Sequence, residues 1–447
     1  MKEKNSEELD GNGGLHDLTT IREALRYARR YRGSTFVIQF DYPMIIDDLF
    51  PVLLQDIALL YRSGIRVVII AGSEERTVKM LEAYSIAHPL HNGVPITSPE
   101  ALPFVEMSAF DAASSVVTGL AGIGIEALIG NWVRAKSRGI IDGVDYQFTG
   151  SVEKIVADSI RHLLEEGYIP ILPAVGWNPS GKSYRIAADE LAYMTAAALT
   201  SEKLFYIGAH GILRPDREKL PKAIEAVSDG RISRLTVQEA RELEVGEYLD
   251  DRWRRLIAFG RRACESGVSR VHILDGGMDG VILREIFSNL GVGTMLHTNK
   301  FESIRPMERR DVSEMLHIME PYVKQGILLP RDAESIEKEQ GDYVVYDLDG
   351  SVYGCAALHL YRDACGEIAA VAVDRNFSHM GIGRRLVDYL FERARESGLT
   401  RIFALTTQTS DWFESIGFKE GKLADIPEKK RSLYNHRRNS KILVYEL

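Results

Sequence analysis

Residues Cys365 to Val387 place a carboxylate, an apolar run and two closely spaced glycines in one uninterrupted segment. Glu367 stands near its start; Gly381, Gly383, Arg384 and Arg385 stand near its end. Read as a buried strand, a polar turn and an amphipathic helix, this order aims backbone N–H groups at whatever precedes the helix, which is how main chains bind anions. The glycines let a bulky phosphorylated ligand approach the backbone. Two arginines in a first helical turn oppose the helix dipole unless an anion sits there. The implied chemistry is that of a pyrophosphate-carrying cofactor held beside a carboxylate, with Glu367 as the base that draws a proton from a nucleophile.

Other polar groups cluster towards the end of the chain. Thr406 to Thr409 form a hydroxyl-rich strand end and Tyr434 offers a phenol, so Thr407 and Tyr434 are alternative acids for a leaving group. Arg438 and Ser440, two residues apart, are expected on one face of a terminal strand. There they would clamp a carboxylate, the arginine bidentately.

The elements that must hold these groups can be read from periodicity. Leu18 to Tyr31 has an apolar stripe at Ile21, Leu25 and Ala28 and a basic face with Arg22, Arg26, Arg29 and Arg30, which predicts a helix suited to an interface. Strands over Thr35 to Phe40, Ile65 to Ile70, Ile169 to Leu172, Lys203 to Ile207 and Arg270 to Leu274 alternate with helices over Leu49 to Tyr61, Ile155 to Glu165, Asp189 to Leu199, Leu249 to Ser266 and Val281 to Leu290. That alternation predicts an α/β domain with a parallel sheet. Beyond Phe301 the pattern changes: strands over Asp342 to Asp347 and Val352 to Tyr361 flank the turn pair Asp349-Gly350, and Glu367 to Val373, Gly383 to Ser397 and Lys441 to Glu446 complete a smaller α+β unit. The expected division is residues 1–17 disordered, 18–300 the α/β domain and 301–447 the smaller domain.

Composition narrows the class. The chain has 447 residues, 45% of them hydrophobic and 27% charged, which fits a globular protein of more than one domain. A formal charge of −9 argues against nucleic acid as the main partner. The three cysteines, Cys264, Cys355 and Cys365, suggest neither a zinc site nor a disulfide framework, so no metal and a reducing, cytoplasmic setting are expected. Met1 to Gly14 is polar and unlike a signal peptide, and no segment reaches the length of a membrane span.

The segments Val371-Ala-Val373, Met380-Gly-Ile-Gly-Arg384 and Trp412-Phe-Glu-Ser-Ile-Gly-Phe418 resemble the GNAT N-acetyltransferase superfamily. Leu405-Thr-Thr-Gln-Thr-Ser-Asp-Trp-Phe413 and Tyr434-Asn-His-Arg-Arg-Asn-Ser-Lys-Ile-Leu443 resemble, more narrowly, the acetyltransferase domain of the N-acetylglutamate synthase family. The resemblance implies acetyl-CoA as cosubstrate, bound by the backbone near Val371 and Val373 and, at the pyrophosphate, by Gly381, Gly383 and Arg384. It implies L-glutamate as acceptor, with Arg331, Arg438 and Ser440 on its carboxylates and Glu367 as base. Ser378 replaces the glutamine or arginine usual three positions before the first glycine.

Residues 18–300 resemble the amino-acid kinase fold, through Phe36-Val-Ile38, Val67-Val-Ile-Ile70, Ile186-Ala-Ala-Asp189, His272-Ile-Leu-Asp-Gly276 and Leu283-Arg-Glu-Ile-Phe-Ser-Asn-Leu-Gly-Val-Gly-Thr294. A working kinase of this kind is expected to carry a lysine and glycines after the first strand; this chain has Gln39-Phe-Asp-Tyr-Pro-Met44 instead. A carboxylate there repels phosphate, so the domain reads as regulatory. The resemblance implies L-arginine as effector, with Asp189, Glu285, Gly291 and Gly293 as candidate contacts. It also implies a homo-oligomer, a hexamer in the resembling family. The expected activity is therefore acetylation of the glutamate α-amine in arginine biosynthesis. A bifunctional synthase and kinase, and an amino-acid sensor without catalysis, are the alternatives.

Overall fold

The computed structural model describes residues 27–447 except 210, 216–219, 222, 223, 225, 228, 247, 288–290, 299–301 and 349–350. The predicted N-terminal tail, most of the basic helix and the Asp349-Gly350 turn lie outside the described residues; residues 27–30 are helical. The chain divides into two compact units between residues 299 and 300.

The first unit is built on an eight-stranded sheet in the spatial order Arg234–Thr236, Thr294–His297, Arg270–Asp275, Lys203–Gly208, Thr35–Phe40, Arg66–Ala71, Ile169–Pro173, Ala127–Ile129. Every pairing in it is parallel except that of Arg270–Asp275 with Thr294–His297. Its central strand is covered on both sides, as parallel sheets require. Phe36 and Ile38 pack into one core with the helix Phe50–Arg62, and Val37 into the other with the helices Ala188–Leu199 and Asp251–Glu265. Residues 84–186 hold features without a clear signal in the sequence: the helix Leu102–Gly122 and a second, four-stranded sheet.

The second unit is a seven-stranded sheet in the order Glu302–Pro306, Tyr343–Leu348, Ser351–Tyr361, Cys365–Val373, Arg401–Thr406, Lys441–Glu446, Lys419–Glu420. The helix Ile382–Glu396 covers one face and Val312–Lys324 covers the other. Two irregularities in Cys365–Val373 shape the site. The parallel ladder to Arg401–Thr406 pairs only Cys365–Ile368 with Arg401–Ala404, so the two strands part beyond it. On the other edge the register shifts between Cys355 and Ala357, and Ala370 takes a left-handed φ of 53°. A bulge of this kind resets the alternation of side chains: Ile368, Val371 and Val373 pack on the Ile382–Glu396 side, while Ala370 and Ala372 pack on the Val312–Lys324 side.

Candidate active site

The parting strands open a cavity of about 280 Å³. Ala369, Val371 and Val373 line one wall, Leu405, Thr406 and Trp412 the other, and Gly381, Gly383 and Arg384 close one end. Gly381 is the N-cap of Ile382–Glu396 with a φ of 67°, a left-handed conformation that favours glycine. A Cβ at Gly383 would stand 3.3 Å from Trp412 and 3.7 Å from Val373, so its missing side chain keeps the cavity open. The first N–H groups of the helix have no partner inside it, which leaves them for an anion. Arg384, about half exposed, lies beside them with its Nε 2.9 Å from Asp388. The set fits a long ligand whose anionic end meets the helix and whose thin arm runs between the strands. Ser378 also lines the cavity.

Tyr322 was not among the residues singled out from sequence. It reaches across from Val312–Lys324 and donates to the Val373 carbonyl at 2.6 Å, fixing the floor of the cavity. Burial raises its pKa, which keeps the phenol protonated.

Glu367 is 4% exposed, on the stretch of Cys365–Val373 that remains paired on both edges. Lys430 Nζ stands 2.8 Å from Oε1, and the Tyr361 hydroxyl donates to Oε2 at 2.8 Å. Burial first, then the Glu367 charge, pushes the Tyr361 phenol well above its ordinary pKa. Neither partner was read from the sequence, because neither lies in a motif.

Arg438 and Ser440 are not on the terminal strand. That strand begins at Lys441, and Asn439 between them has a left-handed φ of 48°, so strand alternation does not apply to the pair. Arg438 donates through Nη2 to the carbonyls of Gly326 and Ile327, at 3.1 and 2.7 Å. It thereby ties down the turn that brings Ile327 and Leu328 to the cavity wall. Ser440 is buried, and its carbonyl accepts the Tyr434 hydroxyl at 2.6 Å. Thr407 is exposed, 3.5 Å from the Gly326 carbonyl. On that part of the chain Thr406 and Thr409 line the cavity, their hydroxyls bonded to each other at 2.7 Å. The Arg331 guanidinium lies 6.0 Å over the ring of Tyr343.

In the first unit, Glu285, Gly291 and Gly293 come together. The Glu285 carboxylate is buried and accepts from His272 Nδ1 at 2.7 Å and from the N–H groups of Val292 and Gly293 at 2.7 and 2.9 Å. Burial alone would raise the carboxyl, but these hydrogen bonds hold it below its ordinary pKa. Burial pushes His272 down to about 4. Gly291 has a φ of 63°, and a Cβ there would fall 2.5 Å from Glu285 Oε2. Asp189 is engaged elsewhere, 3.0 Å from Arg255 Nε in the first turn of its helix.

The place where a kinase would hold phosphate is acidic. Asp41 follows the first strand, accepts from Gln39 at 2.9 Å and pairs with Arg252. Glu75 has its pKa raised by burial and, secondarily, by Asp41. Among the described residues no group of three or more His, Cys, Asp or Glu side chains is arranged to hold a metal ion.

Residues 45–275 match the amino acid kinase family and residues 309–418 the acetyltransferase (GNAT) family. An amino-acid acetyltransferase of Neisseria meningitidis serogroup B is 35% identical over 439 residues, spanning 96% of this chain and 97% of the relative. The structure of N-acetylglutamate synthase from Neisseria gonorrhoeae complexed with coenzyme A and L-arginine matches with a TM-score of 0.84 at 32% identity, over 96% of this chain and 99% of that one. The same enzyme complexed with coenzyme A and N-acetyl-glutamate matches over the same spans with a TM-score of 0.60. With both halves matched in order and almost the whole length shared, the chain belongs to the N-acetylglutamate synthase family, acetyl-CoA-dependent amino-acid acetyltransferases in which a GNAT catalytic domain follows an amino-acid-kinase-type domain.

Proposed function

We propose that the chain moves the acetyl group of acetyl-CoA to the α-amine of L-glutamate, the first step of arginine biosynthesis, under the control of L-arginine. The observation that carries the reading is the cavity between the parted strands, open at Gly383 and adjoining the strand that bears Glu367. Gly381, Gly383 and Arg384 meet the pyrophosphate, and the main chain around Val371 and Val373 holds the thioester arm. The glutamate amine, freed of its proton by Glu367, attacks the thioester carbonyl, and the tetrahedral oxyanion collapses to release the CoA thiolate. Arg331, Arg438 and Ser440 recognise the two acceptor carboxylates. Tyr434 or Thr407 serves as acid, with the Thr406 and Thr409 hydroxyls as further donors on the cavity.

The first unit is regulatory in this reading. Asp41 and Glu75 stand where transferred phosphate would need positive charge, which disfavours a second, kinase activity. The Glu285, Gly291 and Gly293 cluster offers a buried anion for a guanidinium and is the effector site of this reading; Asp189, paired with Arg255 instead, is a separate candidate contact. The protein works as a homo-oligomer, assigned here to a hexamer. All three cysteines are unpaired and buried, consistent with a reducing cytoplasm. No described helix is long and apolar enough to cross a membrane.

An acetyl-CoA-dependent thiol-release assay across amino acids, with and without arginine, tests the reading. Glutamate is expected to give the highest kcat/KM and arginine to change it. Preference for aspartate or a polyamine overturns the acceptor assignment.

A further inference from the structure

We infer that Lys430 and Tyr361 are positioning residues for Glu367, and that Lys430 is the group that holds the carboxylate in place as a base. The inference rests on the proposal that Glu367 draws off the amine proton.

The backbone of Glu367 is fixed by its neighbours, opposite His359 on one strand and Phe403 on the other. The side chain is not fixed by them. A glutamate carboxyl on a strand still has three torsions, and a base must be oriented to well within an ångström. Its orientation comes from two donors of different elements, one on each oxygen: Lys430 Nζ at 2.8 Å and the Tyr361 hydroxyl at 2.8 Å. A carboxylate has about four acceptor positions, so these contacts leave room for a substrate or water proton on either oxygen.

The partners are themselves anchored. Tyr361 ends the adjacent strand with its ring centroid 5.7 Å from that of Phe403. Lys430 sits in the short helix Glu428–Arg431, which Arg431 pins by donating to the Ile426 carbonyl at 3.1 Å. The burial is asymmetric: the Glu367 side chain is 5% exposed and Lys430 25%. A carboxylate at that depth needs a countercharge, and Lys430, itself partly exposed, supplies one. Of the other titratable groups on the surrounding elements, Cys365 on the same strand and Tyr434 after the short helix share a core with Tyr361 and Phe403, His359 Nδ1 lies 2.7 Å from Asp342, Arg431 turns to the Ile426 carbonyl, Arg401 pairs with Glu446, and Glu428, Lys429 and Lys441 are exposed. Among these described groups Lys430 is the cation placed on the Glu367 carboxylate.

The test uses the full chain, the variants Lys430→Met, Lys430→Arg, Tyr361→Phe and Glu367→Gln, and the double variant of Lys430→Met with Glu367→Gln, each first checked for an unchanged thermal melt. Kinetics are taken against glutamate and acetyl-CoA across pH. Lys430→Met is expected to lower kcat about 10- to 100-fold, within the range for disturbing a general base, with KM for acetyl-CoA nearly unchanged. Lys430→Arg should restore most of kcat, and Tyr361→Phe should give a smaller loss. Lys430→Met added to Glu367→Gln should cost little more. The inference is overturned if Lys430→Met raises KM for glutamate with kcat intact, which makes Lys430 a substrate ligand, or if Lys430→Met lowers kcat as much in the Glu367→Gln background as in the parent, which shows that it does not act through Glu367. If Glu367→Gln itself turns over like the parent, the base assignment fails instead, whatever Lys430 does.

Discussion

Two glycines two residues apart serve one cavity for different physical reasons. Gly381 is needed for its backbone, with a φ of 67° and nothing within 4 Å of an added Cβ; Gly383 is needed for its size, with Trp412 at 3.3 Å. Gly381→Ala is therefore expected to cost about 1 kcal/mol in stability from left-handed strain and to leave acetyl-CoA binding largely intact. Gly383→Val should do the reverse, raising KM for acetyl-CoA at least about tenfold, the equivalent of 1.4 kcal/mol, with little change in melting temperature. Equal effects of the two substitutions on KM would refute the division. Glu367→Gln is expected to lower kcat by about 10²–10⁴ with KM for acetyl-CoA little changed, read by steady-state thiol release. These residues are legible in the sequence because their identities and spacing carry the chemistry. Lys430 and Tyr361 are not, because a lysine and a tyrosine outside any motif announce a partner only once the fold brings the carboxylate to them.

At the scale of elements, strands and helices are visible wherever burial imposes a period, and fail where one residue breaks it. The helix Phe50–Arg62 and the strand Thr35–Phe40 stand where apolar patterning puts them, to within a residue. The bulge at Ala370 and the break at Asn439 do not show, since neither is glycine; the first reverses which face the following residues present, and the second keeps Arg438 and Ser440 off the strand. Arg438 thus became a clasp on the 326–327 carbonyls rather than a strand residue. Its replacement by alanine should loosen that turn and raise KM for glutamate about tenfold or more, as losing a charge-assisted hydrogen bond does, more than it lowers kcat. Apolar periodicity also hides a polar residue on a buried face. Asp56, 6% exposed in Phe50–Arg62, has an Oδ2 with no hydrogen-bond partner, and burial, helped by Asp279, pushes its carboxyl up to about 6. A folded pKa above the unfolded value stabilises the fold at low pH, where both states are protonated, and that contribution is lost as pH rises through about 6. Asp56→Asn is therefore expected to raise stability by about 1–3 kcal/mol at pH above 7, with the gain shrinking to nothing near pH 4. Melts of the two proteins that stay parallel from acid to neutral pH would contradict it.

For the whole molecule, the groups assigned to acetyl transfer and those assigned to the effector belong to different compact units, so any arginine effect on turnover is a coupling free energy between two sites. Such coupling is reciprocal in binding. The factor by which arginine changes the affinity for acetyl-CoA or glutamate must equal the factor by which those ligands change the affinity for arginine, and equilibrium titrations in both orders check it. The sign was not written in the sequence, because it depends on differences between two states of the chain and not on either set of residues alone. The pH dependence of arginine binding follows from the cluster itself. With His272 held down to about 4 and Glu285 held below its ordinary pKa, the pair carries one negative charge at neutral pH, suited to a guanidinium. Arginine affinity is accordingly expected to stay level from about pH 8 to pH 6, where neither group of the pair titrates. It should then fall as pH approaches about 4, as His272 takes a proton and the pair loses its net charge. Calorimetric titration of arginine into the full chain across that range, with unfolding monitored in parallel, reads the curve. A fall centred near the ordinary histidine value of about 6.5 would mean that His272 is accessible to protons in the fold and that the cluster is not the closed anion described. No saturable arginine binding at any pH would remove the effector role from the first unit and leave it without a ligand.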